Sequence, residues 1–180
     1  MFEVNYFGAV ALTQKFLPLI RTSQGRIINV SSGFGVIAIG ARSAYCSTKF
    51  ALEGFTDSLR KEMLPLGVAV SLVNPGVVKT KIIDKHEVRI SNTHLDEASM
   101  AIYGRYYKDE LKRTKGAFDS APSTEVTTAA IVDAVTASSP STRYYVSGVG
   151  PISVTVATFL ARVLPTSLFD RILEAATTAK

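Results

Sequence analysis

Apolar residues recur at helical spacing from the first positions of the chain. Phe2, Tyr6, Ala9, Leu12, Phe16 and Leu19 or Ile20 lie three to four apart with Asn5 among them, which predicts a helix that begins at once, with no cap or strand ahead of it. Arg21 to Gly25 reads as a turn. Arg26 to Val30 is a short β-branched run of the kind buried in parallel sheets, so Ser31 and Ser32 fall at a strand end. A glycine-containing loop, Gly33 to Arg42, leads to a second helix with Ser43 as its expected N-cap. That helix is expected to bury Phe50, Leu52, Phe55, Leu59 and Met63 and to end near Leu64, where Pro65 and Gly67 stop it. Val68 to Val73 is a second strand, closed by Asn74-Pro75-Gly76.

The pattern is less regular from 79 to 120. Lys79 to Glu97 is charged and loop-like, and Met100 to Ala117 reads as an amphipathic helix, expected to act as a lid over a substrate. Pro122-Ser-Thr-Glu125 starts another helix, with Val126, Ala129, Ala130, Val132 and Val135 on its apolar side, and Pro140 stops it. Arg143 to Val146 is a short strand, and two apolar helical pieces separated by Pro165 fill residues 151–180. Helices alternating with buried strands predict an α/β fold with a parallel sheet and crossover helices. No repeat or linker divides residues 1–180, which are expected to form one domain.

The 180 residues are 47% hydrophobic with a net charge of +5, enough for a substantial core. The positive excess is spread along the chain, so no nucleic-acid partner is expected. The lone Cys46 excludes an internal disulfide and reads as a small buried thiol. His86 and His94, near Asp84 and Glu87, fit no standard metal spacing, and no metal is assigned. No signal peptide or membrane span is visible, and Ile152 to Leu164 is favoured as a core helix over a membrane-surface one. A cytoplasmic protein, or one peripheral on an intracellular membrane, is expected.

The candidate chemistry lies in Ser43 to Lys49. On a helix, Tyr45 and Lys49 share a face one turn apart. A free tyrosine has a pKa of about 10 and is a poor base at neutral pH; a fixed cation beside it is expected to lower that value and make Tyr45 a general acid/base. Tyrosine and lysine four apart occur on many helices, so the pair gains meaning only from its surroundings. In parallel sheets, ligands bind beyond the carboxyl ends of the strands, where Ser32 and Asn74 to Thr80 are expected to lie.

Asn5 on one helix, a strand ending in Ser32, Tyr45-x-x-x-Lys49 and the Pro75-Gly76 turn with Thr80 beyond it occur in an order that resembles the short-chain dehydrogenase/reductase family. The Tyr-Cys-x-x-Lys-Phe-Ala-Leu-Glu-Gly-Phe run, Asp57 to Arg60, Arg143 to Val146 and Leu164 to Leu168 are most similar to its retinol, hydroxysteroid and hydroxybutyrate dehydrogenase branch. The resemblance implies a Rossmann-like doubly wound sheet, NAD or NADP as cofactor, and interconversion of an alcohol and a carbonyl on a hydrophobic substrate. It assigns proton transfer to Tyr45, the hold on the substrate oxygen to Ser32, the nicotinamide ribose to Lys49 with Tyr45, and a proton-relaying water to Asn5. Pro75, Gly76, Val78 and Thr80 would border the nicotinamide. Association as a dimer or tetramer through the helices of Asn5 and Tyr45 is also implied.

One part of the family pattern is missing. A glycine-rich turn between a first strand and first helix, which lets backbone amides approach a pyrophosphate, is not found in these residues. Gly33, Gly35 and Gly40 follow the serine strand and belong to the active-site loop. The chain is therefore expected to be the C-terminal portion of a longer enzyme, a partial sheet without its first βαβ units. The alternative is a non-catalytic family member that binds or regulates a partner through its dimer helices.

Overall fold

The computed structural model describes residues 1–82 and 96–178. A π-helical turn, Glu3–Phe7, runs directly into helix α1, Gly8–Thr22. Strand β1 (Arg26–Val30) leads through a 3₁₀ turn, Gly33–Gly35, to helix α2 (Ser43–Met63), and strand β2 spans Ala69–Pro75. Helices α3 (Glu97–Asp119) and α4 (Glu125–Thr136) precede strand β3 (Arg143–Val146). A small antiparallel pair, β4 (Gly148–Val149) and β5 (Ile152–Ser153), gives way to helices α5 (Val154–Val163) and α6 (Thr166–Thr178).

The three longer strands form a parallel sheet in the order β1-β2-β3. Arg26 pairs with Ala69 and Val30 with Val73, and Leu72 and Pro75 pair with Arg143 and Val146. Since parallel strands need crossovers, α2 joins β1 to β2, while the segment containing α3 and α4 joins β2 to β3. The central strand is the driest: Val70 to Asn74 are all buried. β1 is an edge strand among the described residues, with Val30 44% exposed, a less enclosed position than its apolar run predicts.

Two apolar clusters hold these layers together. Ile27, Leu59, Met63, Val68 and Val70 pack between sheet and helices, joined by Leu17 and Ile20 of α1 and Phe55 of α2. The second unites Phe34, Ile37 and Cys46 with Val149, Val154, Ala157, Phe169 and Leu173. The C-terminal helices thus support the loop between β1 and α2. Val154 and Ala157 are fully buried while Val156, Phe159 and Val163 face outward, so α5 is a core helix with an apolar outer face. Among the described residues, no helix is long and apolar enough to cross a membrane.

Several sequence expectations change. Ser43 is the first helical residue and not the cap: Arg42 occupies that position without a side-chain bond to the helix amides, and the Ser43 carbonyl accepts from the Ser47 hydroxyl. Phe50 is exposed, whereas Leu52, Leu59 and Met63 are buried as expected. The buried side of α4 is set by Ala134, and Val126, Val132 and Val135 point outward. Helix α1 likewise exposes Leu12, Phe16 and Leu19. Asn74 and Pro75 continue β2 where a closing turn is expected, and helix α3 begins at Glu97, with the Asp96 carboxylate accepting from the Ser99 amide at 2.8 Å. Asp84, His86, Glu87 and His94 lie outside the described residues.

Candidate active site

The carboxyl ends of β1 and β2 meet the first turns of α2. Ser32 has extended backbone (φ −166°, ψ 158°) and caps the 3₁₀ turn, its hydroxyl accepting from the Phe34 amide at 3.1 Å. The same hydroxyl has one hydrogen to donate. It can turn towards the Pro75 carbonyl, which at 3.5 Å is a weak acceptor, or towards the Tyr45 oxygen, whose anionic form it favours. One buried serine thus caps the turn and keeps a hydroxyl hydrogen to donate.

Tyr45 and Lys49 share a face of α2, with the ammonium 5.9 Å from the phenol ring centroid. Lys49 Nζ donates to the Val30 carbonyl at 3.0 Å, which anchors it to the last residue of β1. The expected lowering of the Tyr45 pKa is reversed: burial is the strongest influence and raises it above the ordinary tyrosine value. The Ser32 hydrogen bond pulls the other way. So does positive charge, from the Arg42 guanidinium. Lys49 is itself lowered, chiefly by burial, with the Glu53 carboxylate partly restoring it. Both shifts favour the uncharged form.

Asn5 reaches the same helix. Its Nδ2 donates to the Thr48 hydroxyl at 3.1 Å, and Thr48 in turn donates to the Tyr45 carbonyl at 2.8 Å. Asn5 lies in the π-helical turn, whose wider winding shows in the i→i−5 bond from the Gly8 amide to the Glu3 carbonyl. Beyond β2, the Gly76 amide donates to the Val146 carbonyl at 2.7 Å and the Val77 amide to the Gly148 carbonyl at 2.9 Å. A Cβ on Gly76 would collide with the Gly148 backbone, so the close approach of these chains requires glycine. Val78 is half-buried. Thr80 is exposed, and its hydroxyl accepts from the Ile82 amide at 3.4 Å.

The structure adds residues that sequence reasoning missed. Arg42 lies with its guanidinium 5.4 Å from the Phe34 ring centroid, donates to Thr114 at 2.7 Å and faces Glu110 at 3.6 Å, tying the active-site loop to α3. Glu53 and Asp57 continue the Tyr45, Lys49 series at intervals of four. Arg143 Nη2 of β3 bridges them, 3.0 Å from Glu53 and 2.7 Å from Asp57. Burial alone would raise Asp57, but the bonds from Arg143 and Arg60 outweigh it and hold its carboxyl below the usual range. Asn74, fully buried, donates to the Ser32 carbonyl at 3.2 Å and to Glu53 at 2.6 Å. Carboxylates repeated every fourth position on a helix that already carries Tyr45 and Lys49 are the signal that marks this network.

A family model described as short chain dehydrogenase matches residues 1–89. The mitochondrial D-beta-hydroxybutyrate dehydrogenase of Bos taurus is 42% identical over 152 residues, covering 79% of this chain and 44% of that protein. Estradiol 17-beta-dehydrogenase 2 of Mus musculus is 34% identical over 178 residues, covering 95% of this chain and 46% of that protein. The chain therefore spans less than half the length of either relative. A short chain dehydrogenase of Burkholderia cenocepacia, crystallised in complex with NADP, superposes with a TM-score of 0.64 at 21% identity, covering 96% of this chain and 57% of that one. At that identity the likeness speaks to the fold alone.

Proposed function

Because this chain belongs to the short-chain dehydrogenase/reductase family and carries part of its partial Rossmann-like parallel sheet, we propose that it is the catalytic portion of an NAD(P)-dependent oxidoreductase interconverting an alcohol and a carbonyl on a hydrophobic substrate. The observation that carries this reading is the meeting of Ser32, Tyr45 and Lys49 at the ends of β1 and α2. The relatives are named for hydroxybutyrate and estradiol, which supports a hydroxy-acid- or steroid-like secondary alcohol as the substrate class.

The donor set fits the nicotinamide end of the cofactor. An ammonium has three N–H groups, and Lys49 gives one to Val30, leaving two for the ribose hydroxyls. Pro75, Gly76, Val78 and Thr80 border the same strand end and would flank the nicotinamide. When bound, the cofactor supplies or accepts the hydride at the carbinol carbon.

The protein's own residues handle the oxygen and its proton. Ser32 donates to the substrate oxygen and fixes it beside Tyr45. In the reducing direction the Tyr45 phenol gives its proton to that oxygen as the C–H bond forms; in the oxidising direction the phenolate takes it back. The raised pKa leaves Tyr45 as neutral phenol at neutral pH, so its resting state is ready for carbonyl reduction. Oxidation requires deprotonation first, and its rate rises with pH until Tyr45 is ionised. Asn5, linked to α2 through Thr48, positions the water that exchanges protons with Lys49.

These residues contain no glycine-rich turn to grip the pyrophosphate, so the 180-residue chain is expected to bind NAD and NADP weakly, and the protein expressed from its complete reading frame tightly. Calorimetric titration tests this. Micromolar binding by the 180 residues alone would place the phosphate grip among them, and no binding by either form would favour the non-catalytic binding partner.

A further inference from the structure

A buried carboxylate next to a proton-transfer site requires a reason, because isolated ionised carboxylates are costly to bury. Glu53 is such a group, with its residue 6% exposed. One oxygen accepts from the Asn74 amide at 2.6 Å; the other accepts from Arg143 Nη2 and Nε at 3.0 and 3.3 Å. The remaining Asn74 hydrogen goes to the Ser32 carbonyl at 3.2 Å. Both partners of that amide are pure acceptors, so its NH₂ must face them. Asn74 Oδ1 is left buried without a partner. A freely chosen amide orientation would not leave its oxygen so placed; the two acceptors impose it.

Glu53 packs closely against the backbone of the active-site turn. A Cβ on Gly35 would stand 3.1 Å from Glu53 Cγ and closer still, at 2.6 Å, to the Ser31 hydroxyl. The charged groups around the carboxylate are Arg143 from β3, and Lys49 and Asp57 from α2, with Arg60 reached through Asp57. From β2 and the turn after β1 it meets only the uncharged Asn74 and Gly35.

We propose that Glu53 is a positioning residue of the proton-transfer site: through Asn74 it fixes the Ser32 end of β1, through Arg143 it locks β3 to α2, and it places a carboxylate one helical turn from Lys49 on the same side of α2. The inference rests on the reading of Ser32, Tyr45 and Lys49 given above and extends it to a residue that touches neither substrate nor cofactor. Glutamine cannot replace it. Its single carbonyl oxygen can serve Asn74 or Arg143, and its NH₂ then confronts the other donor.

The test is carried out on the full chain without cofactor or substrate, by NMR titration of the Lys49 side chain, assigned by its disappearance in Lys49→Arg. In Glu53→Gln the Lys49 titration is expected at lower pH than in the unsubstituted protein, because the anion that supports the ammonium is gone. In Asp57→Asn, which loosens the same Arg143 clamp, it is expected to stay in place. An unchanged Lys49 in Glu53→Gln, or an equal shift in Asp57→Asn, would overturn the proposal. Should Glu53→Gln fail to fold, the unsubstituted protein answers the question: the Glu53 carboxyl carbon is expected to report the Lys49 inflection and lose it in Lys49→Arg. Silence of that carbon through the Lys49 titration would also overturn it. A protein that transfers no hydride would refute the proposed function and leave this result readable.

Discussion

Replacing Tyr45 with phenylalanine is expected to lower turnover by about 10²- to 10⁴-fold, the range usual for a lost general acid/base, and to weaken cofactor binding far less, because Lys49 keeps its hold on the ribose. The ring remains to fill its half-buried site, and only the hydroxyl, with the proton it exchanges, is removed. In the unsubstituted enzyme, carbonyl reduction is expected to decline as pH rises through the raised Tyr45 pKa, because the neutral phenol is the reactive form. The residual rate of Tyr45→Phe should lack that decline. Steady-state kinetics across pH, with cofactor binding measured alongside, separates the two parameters. Full turnover in Tyr45→Phe would remove Tyr45 from the role.

Arg143→Met is expected to cost about 3 kcal/mol of folding stability, measured by chemical denaturation. Methionine keeps the apolar stem, but Glu53, with an 8% exposed side chain, loses its countercharge, and breaking a buried pair from one side leaves an uncompensated charge. Asp57 is more exposed and adds less. Adding Glu53→Gln to Arg143→Met should recover part of the loss, because the stranded charge disappears. A cost under about 1 kcal/mol for Arg143→Met would mean that solvent screens the clamp as it does surface ion pairs.

Local signals made much of the fold readable. Gly25, Pro65 with Gly67, and Pro140 interrupt the chain between elements, and the β-branched runs at Arg26 to Val30 and Val68 to Val73 fall within or beside strands β1 and β2. Ser32 is legible because it follows a buried strand, and Tyr45 with Lys49 because their spacing matches a helical turn. What was illegible depends on tertiary packing. Apolar character at Phe50, Val126 and Val132 gives no warning that these side chains face outward. The direction of the Tyr45 shift follows from the depth of burial, which outweighs the nearby cations and cannot be inferred from the spacing of Lys49. Arg143 and Glu53 lie 90 positions apart, and only the pairing of β3 beside β2 brings them together. Asn74 belongs to the same class: as part of an Asn-Pro-Gly run it reads as a turn, but as the last buried residue of β2 it holds Ser32 in place.

The central claim is that Ser32, Tyr45 and Lys49 move a proton while a nicotinamide moves a hydride. It is tested most directly by supplying the protein, expressed from its complete reading frame, with NADH or NADPH deuterated at the transferable position and a panel of hydrophobic ketones and oxo acids. One deuterium is expected on the carbinol carbon of the product, formed by the unsubstituted protein and suppressed in Tyr45→Phe. Tight cofactor binding with no label transferred to any of these carbonyl compounds, or label transferred equally well by Tyr45→Phe, would contradict it.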